Sequence, residues 1–344
     1  MTFREIPALH LHPKYIVAGS LKREFAIQSD GRYRLDFMGG CGAFAACSIA
    51  LWDQPVGLTC RVGEDFPQEW LQDLNKYQVD TRGIKIQPQI MDLRFFTGYT
   101  LLGEYENTNP VRHFAHHSVP FPSILLNYAP SQDAKLGIDQ ILPTSPRSND
   151  IPKEFLDATA AHICAMDYLT QSLLQPVLRS GEIKNITVEA HSSYLQPEYF
   201  NKLAAVVSGL TAFIVREADL RLFFRNRSND LVEMATAVAN LGCEMVIVHQ
   251  TDGNKVLYDL TTRKKWLVPS YPNTRVNYHS AQASFGGGFL AGYRIAFDPL
   301  QALKYGIITE SIAAESLHPL SMFDALPGLA QARLDALEEM VRPL

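Results

Sequence analysis

"AHICAMDYLTQSLLQPVLRSGEIKNITVEA", residues 161–190, decides the fold. An apolar run at 161–166 is followed by an amphipathic stretch at 170–181 that ends in Gly181. A second apolar run fills 185–190. Short, almost continuous apolar runs read as strands buried on both faces. Two such strands joined by a helix-length crossover pair in parallel. The unit repeats downstream. Strands are expected at 211–215 and 244–250, with helices at 197–209, 216–224 and 230–242. Residues 255–269 read as a hairpin, and helices are expected at 284–295, 299–316 and 327–342. Strand–helix alternation of this kind predicts an α/β fold, a mainly parallel sheet with helices on both faces. Ligands of such sheets sit beyond the carboxyl ends of the strands.

Upstream, "YIVAGSL" (15–21) reads as a strand and "EFAIQSDGRYRLDF" (24–37) as a hairpin about Ser29, Asp30 and Gly31. "CGAFAACSIALW" (41–52) follows Gly39 and Gly40 and is apolar nearly all round, a buried helix. Residues 55–63 form the next strand. A helix over 65–77 is expected to be N-capped by Asp65. Residues 94–105 and 111–117 read as further strands. Residues 120–152 carry six prolines and no sustained period, and read as a long loop or partly ordered insertion.

Composition narrows the function classes. The 344 residues are 47% hydrophobic, with a net charge of −5 and no basic run. Nucleic acid is therefore excluded as the expected partner. No segment reaches the ~20 apolar residues of a membrane helix. The start, "MTFREIPALHLHPKY", has no apolar core of signal-peptide type. The five cysteines are scattered without metal-ligand spacing, and most read as small buried hydrophobes of a reducing cytoplasm. His113, His116 and His117 read as solvated side chains, and no metal site is expected.

Two glycine-rich stretches open helices: "MGGCGAFA" (38–45) and "HSAQASFGGGFLAGY" (279–293). A glycine inside a helix costs about 1 kcal/mol relative to alanine, so Gly286, Gly287 and Gly288 imply a close backbone approach. The approaching group is either a neighbouring helix or an anion at the helix start.

With these stretches in this order, residues 39–84 and 276–293 resemble the two signature regions of the ribokinase-like (PfkB) carbohydrate and nucleoside kinases. The resemblance covers nearly the whole chain except 120–152. It implies one domain over residues 1–344, with a small β lid from about 22–38 and 94–117 that serves as a homodimer interface. It also implies transfer of the γ-phosphoryl of ATP to a hydroxymethyl group with Mg²⁺.

The departures lie at the positions that carry the family's chemistry. The C-terminal signature, V-D-T-x-G-A-G-D, has its general base at the position of Ala283, and a methyl group accepts no proton. Its anion-hole positions are Ser280, Ala281 and Gln282, and Asn277 replaces its first aspartate. The phosphate-contacting stretch falls on His249, Thr251 and Asn254, with Asp252 adding negative charge, and Gly286 lies on the nucleotide side. The N-x-x-E element of the Mg²⁺ network falls on Arg216 and Asp219. On the substrate side, Glu24, Gly39, Gly40 and Phe44 occupy family positions, Phe44 in place of an asparagine. His279, Glu64 and Asp65 are the nearest titratable residues that could stand in for the missing base.

Three functions follow as expectations. One is a kinase homologue with lost or weak phosphotransfer that binds a sugar, nucleoside or nucleotide. Another is an active sugar or nucleoside kinase with a rearranged site, which alone would need ATP and Mg²⁺. The third is a non-catalytic interaction scaffold.

Overall fold

The computed structural model describes residues 12–100, 105–273 and 278–343. β1 (Tyr15–Ala18), β2 (Lys22–Ile27) and β3 (Tyr33–Gly39) lead into α1 (Cys41–Ala50), β4 (Val56–Gly63), α2 (Gln68–Lys76) and β5 (Val79–Gln87). β6 (Arg94–Tyr99), β7 (Tyr105–Glu106) and α3 (Pro110–His116) follow. Beyond residue 152 come β8 (Ala160–Ile163), α4 (Tyr168–Arg179), β9 (Asn185–Glu189), α5 (Ala204–Val207) and β10 (Ala212–Arg216). Then come α6 (Glu217–Phe223), α7 (Leu231–Ala239), β11 (Met245–His249), β12 (Lys255–Asp259) and β13 (Lys264–Val268). α8 (Tyr278–Ala296), α9 (Pro299–Ala313), α10 (Leu329–Glu338) and β14 (Arg342–Pro343) complete the described chain.

One sheet of ten strands has the order β14-β13-β12-β11-β10-β9-β8-β1-β4-β5. It is parallel from β11 to β5, and β12, β13 and β14 join antiparallel at one edge. The alternating strand pleat sorts side chains between two cores. Tyr15 and Val17 of β1 point into the layer that holds α1, α8 and α9. Ile16 and Ala18 point into the layer that holds α4, α6 and α7. The α/β class expected from the sequence is therefore what the chain forms.

A second sheet of four strands, β3-β2-β6-β7, stands apart from the first. Its core is a small aromatic cluster of Phe25, Phe96 and Phe114.

Four local readings need correction. Residues 111–117 are helix α3, not a strand. Asn109 accepts a hydrogen bond from the Arg112 N–H, and Pro110 fills the first helical position. Asp65 does not cap α2, which starts after Pro67; its carboxylate accepts from the Met91 N–H at 3.3 Å instead. Residues 197–209 form a 3₁₀ turn and the short α5 rather than one helix. α8 begins at Tyr278, six residues before the expected 284.

Residues 120–152 form a series of short 3₁₀ turns held to the rest of the chain. Arg61 on β4 makes a bidentate pair with Asp150 at 2.6 and 3.1 Å. Ser145 donates to Asp167 Oδ2 at 2.7 Å. Arg94 on β6 donates to the carbonyls of Ile124 and Leu126.

Candidate functional site

The loop after β1 runs beneath the start of α1. Gly40 has φ +91°, a left-handed conformation that a side chain rarely adopts. A Cβ there would lie 2.5 Å from the Ser20 carbonyl, and one on Gly42 would lie 3.0 Å from it. The Gly39–Gly40 pair thus lets α1 begin against the β1–β2 corner. That corner brings Ser20, Lys22 and Glu24 together with Cys41 and the start of α8.

These residues line a cavity of about 170 Å³, with Phe95 from the second sheet and Ser280 and Ala283 from α8. Cys41 and Ala283 also line a neighbouring chamber of about 260 Å³. The second chamber lies beyond the carboxyl ends of β8 to β11. Its polar lining is Glu189, His191, Ser192, Arg216, His249 and Gln282. Lys22 joins the first chamber to a third cavity of about 410 Å³, whose outer wall includes Ala129, Ser131, Asp133 and Leu142.

Glu24 is buried between the two sheets. The Gly40 N–H donates to its Oε1 at 2.8 Å, and the Ser280 hydroxyl donates to its Oε2 at 3.1 Å. Burial is the larger influence and pushes the carboxyl up to about 7, against these hydrogen bonds. Glu189 ends β9 with its Oε2 shielded from water and unpartnered. Burial pushes it up to about 8. His249 ends β11, and its Nε2 is also buried without a partner. Burial, aided by the charges of Lys255 and Arg216, holds its imidazole well below the usual histidine range. Arg216 ends β10 and pairs with Asp219 at 2.7 Å.

α8 passes through the expected anion-hole positions as regular helix. Serine, alanine and glutamine extend a helix where glycines would interrupt it. Ser280, Ala281 and Gln282 therefore lie inside the helix, and the N–H groups of Gln282 and Ala283 are directed at carbonyls four residues back. Ser280 lines the first chamber, Gln282 the second, and the Ala283 methyl lies where the two meet.

The three consecutive glycines of α8 each face a different neighbour. A Cβ on Gly286 would strike the ring of His162, one on Gly287 the Ala45 carbonyl, and one on Gly288 Thr309. Of the two readings of these glycines, the structure shows close packing against β8, α1 and α9.

Other expected site residues lie elsewhere. Phe44 is fully enclosed in the core layer of α1 and reaches none of these cavities. Thr251 and Asn254 belong to the turn between β11 and β12. There the Thr251 N–H donates to Glu217 and the Asn254 amide to Asp252 at 2.7 Å. Asn277 lies outside the described residues, as does the side chain of His279. His113 is buried on α3 with Nε2 3.1 Å from Glu106, while the rings of His116 and His117 meet edge to face. Among the described residues no group of three or more His, Cys, Asp or Glu is placed to hold a metal ion.

A Mg²⁺ ion takes several oxygen ligands in octahedral geometry. At the N-x-x-E positions one carboxylate is committed to a guanidinium, and Glu189 is the remaining carboxylate of the chamber. Glu189 alone is thus left in this chamber as a carboxylate ligand for Mg²⁺, the other positions falling to water and substrate phosphates. The phosphate-side turn carries the Asp252 carboxylate and does not fit an anion. The region beside α9 is filled by the buried Lys255–Glu310 pair and Phe285, leaving a cavity of about 10 Å³.

No family model matches the chain. The chain is 27% identical over 281 residues to a cytidine kinase of Thermococcus kodakarensis, covering 81% of this chain and 87% of that one. In structure it is similar to a nucleoside kinase of Burkholderia thailandensis in complex with inosine. There the TM-score is 0.66 at 10% identity, over 94% of this chain and 98% of that one. It is also similar to a ribokinase of Thermotoga maritima, with TM-score 0.65 at 14% identity over 95% and 99% of the two chains. An Arabidopsis thaliana ribokinase complexed with ribose and ATP gives 0.64 at 12% identity over 94% and 99%. The ribokinase-like resemblance read in the sequence is thus present in the fold along almost the entire chain. No helix among the described residues is long and apolar enough to cross a membrane.

Proposed function

We propose that this chain, a ribokinase-fold homologue of the sugar and nucleoside kinases, binds a small polyhydroxylated ligand in the cleft between its two sheets and transfers phosphate slowly or not at all. The observation that carries this reading is the run of α8 through residues 280–283. The helix places a methyl group where a proton acceptor is needed and turns the N–H groups of Gln282 and Ala283 back into its own backbone. Stabilising the charge on the transferred phosphoryl group is the main task in this chemistry. The N–H groups of Gln282 and Ala283, committed to the helix, are not donors for that charge.

The cleft itself is retained. Lys22, Glu24 and Ser280 offer hydrogen-bonding groups to hydroxyls in the first chamber, and residues 129–142 extend the wall outward. Two of the similar structures are complexes with inosine and with ribose, ligands of the proposed class. The four-stranded sheet occupies the place of a lid, and a homodimer through it belongs to the same proposal.

A second reading is favoured by one residue. Glu189 is a carboxylate lining the same chamber as Ala283, the residue type that takes the proton of a substrate hydroxyl. The deciding experiment is calorimetric titration with cytidine, inosine and ribose alongside a radiolabelled-ATP transfer assay on the same compounds. Binding without transfer is the expected result. Transfer that Glu189→Gln abolishes establishes the second reading. Neither binding nor transfer overturns both.

A further inference from the structure

Cys41 forms the wall that the two chambers share with Ala283. It is the first residue of α1, where the helix dipole and unbonded N–H groups favour negative charge. Its sulfur accepts the Ser20 N–H at 3.3 Å and lies 3.3 Å from Ser20 Oγ. Two groups of Ser20 thus converge on one atom. The thiol of Cys164, just beyond β8, is a neighbour that favours the Cys41 thiolate. Cys41 is partly exposed, whereas Cys47, Cys60, Cys164 and Cys243 are buried.

We infer that Cys41 is a nucleophilic modification site that takes small disulfides, the resulting mixed disulfide plugging the cleft where its two chambers meet. The Cys41 thiolate attacks one sulfur of R–S–S–R. The Cys41–S–S–R bond forms as the reagent's own S–S bond breaks. R–S⁻ leaves with the electron pair and takes a proton from water, so Cys41 is oxidised and the reagent reduced. The far wall of the second chamber, lined by His191, Ser192 and Arg216, offers polar side chains to a polar R, and the buried, unpartnered His249 Nε2 lies behind it.

The charged and titratable groups around the sulfur pull in both directions. Lys22 favours the thiolate, while Glu24, Glu189 and Cys60 oppose it. Cys164 is the largest influence and, with Ser20, outweighs burial, bringing Cys41 down from 9.0 to about 6. Cys164 is a positioning residue here, acting through the sulfur of Cys41.

The test is incubation of the full, native chain with oxidised glutathione, read by intact mass and peptide mapping against pH. One adduct per chain is expected, on Cys41. At about pH 6 a thiol with the lower pKa is ionised about 500-fold more than an ordinary one, and its weaker intrinsic nucleophilicity returns about 20-fold of this. The adduct should therefore form on the order of tenfold faster than with free cysteine at that pH. Cys41→Ser removes it. Cys164→Ala keeps the adduct on Cys41 but slows it about tenfold at about pH 6, by moving the ionisation upward. A rate equal to that of free cysteine, or an adduct on another cysteine, overturns the inference. If Cys164→Ala does not fold, the rate–pH profile of the native chain decides: a half-maximum near the ordinary thiol value counts against it.

Discussion

The Ser280 hydroxyl donates to Glu24 Oε2 at 3.1 Å and so ties the start of α8 to the inner strand of the small sheet. The same carboxyl receives the Gly40 N–H on its other oxygen. One buried acid thus links three segments that the sequence keeps far apart.

Glu24 has a folded pKa of about 7 against an ordinary 4.5, with burial as the main cause. The native state therefore holds its proton more tightly than the unfolded chain does. This contribution is fully present below the ordinary carboxyl value and is lost as pH rises through about 7. The shift corresponds to about 3 kcal/mol. Melting of the wild type should fall between about pH 5 and 8 more steeply than that of Glu24→Gln. Parallel pH profiles for the two proteins would show that Glu24 does not titrate across this range.

Ala283→Asp should not restore phosphotransfer. The new carboxylate would sit on a helix whose N–H groups at 282 and 283 remain internally bonded. The transfer assay with cytidine and ATP measures this directly. Turnover approaching the 1–100 s⁻¹ typical of kinases would mean that the missing base was the sole defect.

Gly287→Ala should destabilise the fold by about 1–3 kcal/mol, the usual cost of overpacking. The added methyl would collide with the Ala45 carbonyl and lie 2.9 Å from Ser48 Cβ. Backbone cannot yield there as a flexible side chain can. Denaturant unfolding should show a lower midpoint at unchanged slope.

Lys255 and Glu310 form an ion pair at 3.1 Å in the core beside Phe285, both side chains more than nine-tenths buried. Removing one partner strands the other charge. Lys255→Ala should cost about 3–5 kcal/mol, and the double change Lys255→Met with Glu310→Leu should recover most of it. Equal losses in the single and double variants would show that packing, not charge pairing, sets the cost.

The sheet was legible because buried parallel strands write themselves as short apolar runs with helices between. Residues 111–117 were not: Val111 and Phe114 at strand-like density outweighed Asn109 and Pro110, whose capping signal was present. The start of α8 was misplaced because the glycines at 286–288 drew the boundary toward themselves. They answer to packing, while Ser280–Ala283 carry the helical propensity. Glu24, Arg216 and Ala283 were found by their place in a motif. Glu189 was missed, yet a signal existed. Glu189, Arg216 and His249 are the last residues of β9, β10 and β11. A polar residue closing each of three consecutive buried strands marks the rim where an open α/β sheet meets its ligand. Cys41 and Cys164 carry no such local mark, because only the close approach of α1 to the β1–β2 corner brings them together.

Arg94 grips residues 124 and 126 from the small sheet, and Arg61 grips Asp150 from the large one. Between these anchors Leu142 and Ser145 are also held, both by Asp167, so that residues 127–141 bridge from the small sheet to the large one. This stretch also forms part of the wall of the third cavity, through Ala129, Ser131, Asp133 and Leu142. A tilt of one sheet toward the other would pull on this stretch, and so would reshape that cavity along with the cleft.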